Sequence, residues 1–371
     1  MSYLGEDVPK LGFGLMRLPQ KDGASDVAQV EEMVDRFLDA GLTYFDTARA
    51  YGDSEATIKR ALVDRYPREK YLLATKNAAW LGAKSAEEAR QFFTASLQTT
   101  GAGYFDFYLL HNLGTPRTEV FDKFGMWDYL AEQKEKGLIR HLGLSYHNRA
   151  EELDELLTKH PDMEFVQLQI NYADWESDNI QSRKNYEVCR AHGKPVIVME
   201  PVKGGLLANP PAKVEKILHD ANPEASCASW AIRFAASLEG VITVLSGMSD
   251  VAQMDDNLAT MKGFKPLSAD EREVIARAQE AFSTIDTIPC TNCHYCTKDC
   301  PQQVPFPEIF SSVNLYRTYG NLDRAKMDYG WATSQGGAKA SDCVQCGRCE
   351  DACPQHIEIR DELEKAAALF E

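Results

Sequence analysis

Thr43-Tyr44-Phe45-Asp46-Thr47-Ala48, running on to Arg49-Ala50-Tyr51-Gly52, is an apolar, β-branched stretch that stops on an acid and a turn. Two later stretches share the design. Leu73-Ala74-Thr75-Lys76 and Leu109-Leu110-His111-Asn112 also end apolar runs on ionisable groups. Working outward, short strand-like runs recur over the first ~265 residues, separated by amphipathic stretches, the pattern of parallel βα units. Strands are expected at Leu11–Leu18, Thr43–Thr47, Tyr71–Lys76, Phe105–His111, His141–Ser145, Phe165–Asn171, Pro195–Glu200 and Val241–Ser246. Helices are expected at Asp26–Ala40, Ala86–Thr99, Ala150–Lys159 and Ser226–Leu238, with Ser25, Ser54 and Ser85 as N-caps. Eight strand–helix pairs predict an α/β protein with a closed (β/α)8 TIM barrel, whose active site lies at the C-terminal strand ends. Asp46, Lys76 and His111 fall at such ends. Gly12-Phe13-Gly14 does not continue as a dinucleotide fingerprint, because the third glycine position is Arg17.

The chain has 371 residues, 44% hydrophobic and 26% charged, enough for a barrel and a smaller domain. Its net charge of −16 and lack of basic blocks argue against nucleic acid or an anionic membrane as partner. No apolar run approaches the ~20 residues of a membrane span. Met1–Lys10 holds Glu6 and Asp7 and is not expected to be a signal peptide. The expected location is cytoplasmic.

Eight of the ten cysteines lie in two copies of one motif near the C-terminus. These are Cys290-x2-Cys293-x2-Cys296-x3-Cys300-Pro301 and Cys343-x2-Cys346-x2-Cys349-x3-Cys353-Pro354. This is the bacterial ferredoxin spacing for two [4Fe–4S] clusters, in which the fourth cysteine of each run serves the other cluster. Cys290, Cys293, Cys296 and Cys353 are therefore assigned to one cluster, and Cys343, Cys346, Cys349 and Cys300 to the other. Structural zinc is the alternative for such thiolates. The 42 residues between Cys300 and Cys343 are longer than in small ferredoxins, and Pro307–Tyr316 and Leu322–Trp331 are expected to be helical. The domains expected are a barrel over 1–265, a linker helix over 266–287 with Ser268 as its N-cap, and a small, mainly helical ferredoxin-like iron–sulfur domain over 288–371. Cys189, Cys227, Trp127 and Trp230 are read as packing residues, and Glu151–Glu155 as a solvated helix face. Trp80 is a candidate for the substrate pocket.

Phe45-Asp46-Thr47-Ala48-x-x-Tyr51-Gly52, Ala74-Thr75-Lys76 and Leu110-His111 resemble the catalytic tetrad of the aldo-keto reductase family, over about residues 9–264. The resemblance implies Tyr51 as general acid, Lys76 and Asp46 as its tuning pair, and His111 as orienter of the substrate oxygen. A neighbouring ammonium is expected to lower the phenol from its usual pKa near ~10. Ser145 and Gln167 resemble the family's carboxamide-binding pair, and Asn257 its adenine ligand. Met199 stands where the family often has a stacking Tyr. Lys203, Gly204 and Gly205 are expected to cradle phosphate through backbone N–H groups and one ammonium. Gly247 and Gln253 replace the cations that hold the 2′-phosphate of NADPH, so NADH is favoured. The resemblance implies an oxidoreductase interconverting a carbonyl and an alcohol by hydride transfer from NAD(P)H. It is linked to one-electron transfer through the clusters and to a redox partner protein. The rivals are a barrel that uses another cofactor, and an electron carrier with the barrel as scaffold. Four ionisable groups converging from successive strands argue against the scaffold. Protein purified without oxygen should contain about eight iron and eight acid-labile sulfide per chain by elemental analysis; stoichiometric zinc without visible absorption would contradict the cluster assignment.

Overall fold

The computed structural model describes residues 4–5, 7–298, 300–334 and 337–371. Of Met1–Lys10, expected not to be a signal peptide, residues 1–3 and 6 lie outside the described residues. Two compact units emerge, one of Met1–Ala208 with Leu218–Ile275, the other of Asn209–Ile217 with Ala276–Glu371. The division falls inside the helix Ala269–Ser283, which Ser268 caps through Glu271 N–H at 3.2 Å.

The first unit is a closed barrel of eight parallel strands: β1 (Leu11–Gly14), β2 (Tyr44–Asp46), β3 (Leu72–Asn77), β4 (Phe105–Leu113), β5 (Ile139–Tyr146), β6 (Val166–Gln169), β7 (Val196–Met199) and β8 (Val241–Ser246). Each pairs with its sequence neighbours, and β8 closes onto β1. Strand β1 stops four residues earlier than expected. The Leu15 carbonyl accepts from Ser54 Oγ at 2.9 Å, and the chain turns through Leu15–Arg17. That bond also removes Ser54 from its expected capping role; its helix, Ser54–Ile58, begins after Asp53. Likewise Asp26, not Ser25, caps Val27–Asp39, because Ser25 Oγ donates to Asp53 at 2.8 Å. Ser85 caps Ala86–Thr100 as expected.

Side chains alternate in and out along each strand. Outward Phe45, Leu73, Leu110, Leu144, Val166 and Val198 meet the surrounding helices. Inward Tyr44, Ala74, Phe107, Leu109, Phe165 and Ile197 fill the barrel, where the Phe107 ring lies edge-on to Tyr44 and Phe165 at 5.0 and 5.3 Å. Gly143 is required here, since a Cβ would stand 2.5 Å from the Phe165 carbonyl oxygen. One step beyond this inner layer, in the same inward phase, come Asp46, Lys76, His111, Ser145, Gln167 and Met199. The alternation that builds the core thus delivers the site.

The second unit packs Phe306–Tyr319, Leu322–Ser334 and Ile359–Phe370 around Ile309, Phe310, Val313 and Leu363. The long insert is helical where expected. No helix among the described residues is long and apolar enough to cross a membrane.

Fully buried Asp106 at the start of β4 accepts from Arg68 at 2.6 Å, Arg140 at 2.9 Å and the backbone N–H of Leu73 at 2.8 Å. Removing it strands a partly buried guanidinium. Asp106→Ala should destabilise the barrel by about 3 kcal/mol in denaturant titration; a loss below about 1 kcal/mol would show that solvent replaces the carboxylate.

Candidate active site and cysteine clusters

Lys76 has no exposed surface, and its position dictates its partners. Nζ donates to Asp46 Oδ1 at 2.5 Å, to the Thr47 carbonyl at 2.8 Å and to Tyr51 Oη at 3.3 Å. The second Asp46 oxygen accepts from Gln167 Nε2 at 3.1 Å. Tyr51 sits on the turn after β2, where its N–H donates to the Ala48 carbonyl at 3.0 Å. Its ring meets that of His111 edge-on at 5.7 Å, and Trp80 meets His111 from another side at 5.9 Å. Asp46, Tyr51, Lys76 and His111 are thus brought together, and Trp80 joins them.

Burial lowers the Lys76 ammonium but is outweighed by Asp46 and Tyr51, so it stays raised and charged. Burial raises Asp46, against the pull of Lys76 and Gln167. With both partners hydrogen-bonded to it, the carboxylate is the form this geometry serves. Tyr51 departs from expectation. Burial raises its phenol, and Lys76 only offsets part of that rise. Tyr51 is therefore neutral at physiological pH, the form that donates a proton. Burial, then Lys76, His147 and Arg117, hold His111 well below the usual histidine range. A neutral imidazole donates from one nitrogen only.

Ser145 and Gln167 are register partners on β5 and β6. Ser145 Oγ accepts from the Asn112 N–H at 2.7 Å, which leaves its own proton to donate. Met199 ends β7, half-buried. Lys203 Nζ pairs with Asp174 Oδ1 at 2.5 Å, while the Lys203 and Gly205 N–H groups close a turn onto Glu200 and Val202 at 3.0 Å. Gly204 and Gly205 serve that turn with φ of 63° and 95°. Asn257 is buried and donates to Ser246 Oγ at 2.8 Å.

Several residues escaped sequence reasoning. Arg17 and Glu200, at the ends of different strands, pair at 2.9 Å. Asp250 caps Val251–Met261 and holds the Gln253 amide at 2.9 Å. The Asp before that helix was a readable capping signal. Glu152, read as solvated, accepts from Thr115 and Asn148. Trp127 stacks on His160 at 3.6 Å, and Trp230 and Cys189 are buried.

In the second unit, one cavity is walled by Cys300, Cys343, Cys346 and Cys349, and another by Cys290, Cys293, Cys296 and Cys353. These are the two sets that the spacing assigns. The donors fit iron–sulfur groups: four thiols line each cavity, and Cys300 Sγ accepts a backbone N–H from Val304 at 3.5 Å. Burial pushes the Cys296 thiol up to about 12 and that of Cys349 to about 11.

A family model of the aldo/keto reductase family matches residues 10–280, and one of a 4Fe-4S dicluster domain matches 289–358. An uncharacterized oxidoreductase of Schizosaccharomyces pombe is 26% identical over 68% of this chain and 81% of its own. An aldo-keto reductase of Mycolicibacterium vanbaalenii is 30% identical over 61% of this chain and 75% of its own. Among solved structures, an aldo-keto reductase from Bacillus halodurans in its holo form superposes with a TM-score of 0.58, at 25% identity, over 72% of this chain and 91% of that one. The chain belongs to the aldo/keto reductase family and is an oxidoreductase with a C-terminal 4Fe-4S domain.

Because His111 is held neutral, the unfolded chain takes up a proton there below about pH 6.5 that the folded chain refuses. His111 thus costs stability as pH falls below about 6.5 and nothing above it. In histidine-labelled NMR, the signal missing from His111→Gln should keep its neutral shift from pH 8 to 6; titration near 6.5 would contradict the burial argument.

Proposed function

We propose that the barrel interconverts a carbonyl and an alcohol by hydride transfer with a nicotinamide dinucleotide. We propose further that the C-terminal unit holds two [4Fe–4S] clusters which exchange electrons with a redox partner protein. The domain boundaries proposed are 1–265, 266–287 and 288–371, and the location is cytoplasmic, where thiols stay reduced. The observation that carries the enzymatic reading is the buried contact of Lys76 Nζ with Asp46 and Tyr51 Oη.

The nicotinamide, when bound, supplies the hydride. Tyr51 gives its phenolic proton to the carbonyl oxygen as negative charge grows there, which is general acid catalysis. Lys76 stabilises the phenolate left behind, since its ammonium is already 3.3 Å away. Asp46 keeps that ammonium charged in a buried site. Neutral His111 orients the carbonyl oxygen with one N–H. Ser145 and Gln167, side by side, suit the two ends of a carboxamide, with Met199 and Asn257 as further contacts. Lys203, Gly204 and Gly205 would hold phosphate only if the Asp174 pair and the turn rearranged.

NADH is the favoured dinucleotide. Gly247 and Gln253 supply no cation, and the Asp250 carboxylate already occupies the N-terminus of Val251–Met261. A 2′-phosphate there meets a like charge. For the clusters, the repeated Cys-x2-Cys-x2-Cys-x3-Cys-Pro spacing and the match to a 4Fe-4S dicluster domain support cubanes over zinc.

Tyr51→Phe keeps the ring and removes the proton donor. Carbonyl reduction should fall at least about 100-fold with dinucleotide affinity near normal; near wild-type turnover would remove Tyr51 from its role. In calorimetry at low salt, NADH should bind at least as tightly as NADPH. A tenfold NADPH preference, about 1.4 kcal/mol, would contradict the reading of Gly247, Asp250 and Gln253.

A further inference from the structure

We propose that the substrate of the barrel carries a carboxylate, and that Arg117 binds it at the rim beside His111. This rests on the reading of the barrel as a carbonyl–alcohol oxidoreductase and names the class of its substrate.

Arg117 opens the helix Arg117–Lys123, shortly after β4 ends at Leu113. Its Nε donates to the Asn112 carbonyl at 2.6 Å, so the guanidinium rests against the residue that follows His111. Among the described residues it has no ion-pair partner. The acid whose charge it feels is Glu152, and that carboxylate is engaged elsewhere. Glu152 Oε1 accepts from the Thr115 N–H at 2.7 Å and the Thr115 hydroxyl at 2.8 Å, and Oε2 from Asn148 at 2.6 Å.

Other partly buried guanidiniums in the barrel unit are matched. Arg68 pairs with Asp106, Arg17 with Glu200 and Arg233 with Glu271, all within 2.9 Å. A half-buried cation without a counter-ion is costly, and a bound anion removes the cost. Its charge also reaches His111 and His147, which puts it within electrostatic range of the catalytic end. His111 Nδ1, Trp80 Nε1 and Asn112 Oδ1 are buried without hydrogen-bond partners; Asn112 carries the carbonyl that Arg117 holds, the Trp80 ring meets that of His111 at 5.9 Å, and Asn112 holds a left-handed φ of 58°. Orphaned polar atoms on Asn112, which the unpaired guanidinium touches, and on His111 before it mark a place completed by a polar ligand. Four of the five guanidinium N–H donors remain for a planar acceptor, and a carboxylate matches that fork. One cation balances one negative charge, which favours a carboxylate over a phosphate dianion.

The test uses the cluster-loaded enzyme with NADH and two aldehydes, 4-oxobutanoate and its methyl ester. Wild type should favour the acid at least tenfold in kcat/KM. Arg117→Gln should lose at least ten times more on the acid than on the ester, through KM, with partial recovery in Arg117→Lys. Succinate, which does not react, should bind wild type in calorimetry and bind Arg117→Gln at least tenfold more weakly. An absent preference for the acid, or a loss shared equally by acid and ester and not recovered in Arg117→Lys, overturns the proposal. If neither aldehyde is reduced, the calorimetry decides. Arg117-dependent succinate binding then keeps the carboxylate site while the hydride-transfer reading falls, and absent or Arg117-independent binding overturns the site.

Discussion

The buried contact between Lys76 and Asp46 is the constraint on which the barrel's chemistry hangs. An ammonium with no exposed surface is tolerable only if its donors are satisfied and its charge is answered. Asp46, the Thr47 carbonyl and Tyr51 Oη meet those demands from β2 and the turn beyond it. Gln167 reaches the remaining Asp46 oxygen from β6, four strands away in sequence order, so the arrangement needs the barrel closed. Breaking the pair by deleting one partner leaves a buried charge unmatched, at a cost of about 3–5 kcal/mol. The same electrostatics sets the protonation states at the site. The ammonium offsets part of the rise that burial imposes on Tyr51 and helps keep His111 neutral.

The fold and three of the four clustered ionisable groups could be read in the sequence because they obey a period of two, whereas Tyr51, on the turn after β2, was read from its motif. Asp46, Lys76 and His111 each follow by two residues a side chain of the inner layer, namely Tyr44, Ala74 and Leu109. Ser145 and Gln167 repeat the relation with Gly143 and Phe165. Any reading that placed the strands also placed these groups on one rim. The cysteines were legible for a different reason, since their spacing is fixed by the object they surround.

What was not legible depends on contacts distant in sequence. Ser54 looks like a cap and instead holds the Leu15 carbonyl, 39 residues away. Lys203 pairs with Asp174, 29 residues away. Tyr51 was expected to be lowered by its ammonium, but its burial is a property of the assembled barrel and outweighs that charge. Arg117 is one cation at the start of a short helix, and only its lack of an ion-pair partner among the described residues makes it notable.

The proposed function brings together two modes of electron transfer. A nicotinamide moves two electrons with a proton's mass, whereas an iron–sulfur cluster moves one. In the proposed function the barrel chemistry is direct hydride transfer, with Tyr51 supplying the proton, and cluster electrons do not build the new C–H bond. The sharpest measurement is isotopic. With NADH deuterated at both C4 positions and a carbonyl substrate in ordinary water, mass spectrometry of the alcohol should find one deuterium on the carbinol carbon. Protium at that carbon, with labelled cofactor consumed, would mean that the hydrogen came from solvent after stepwise electron transfer, and would contradict the account.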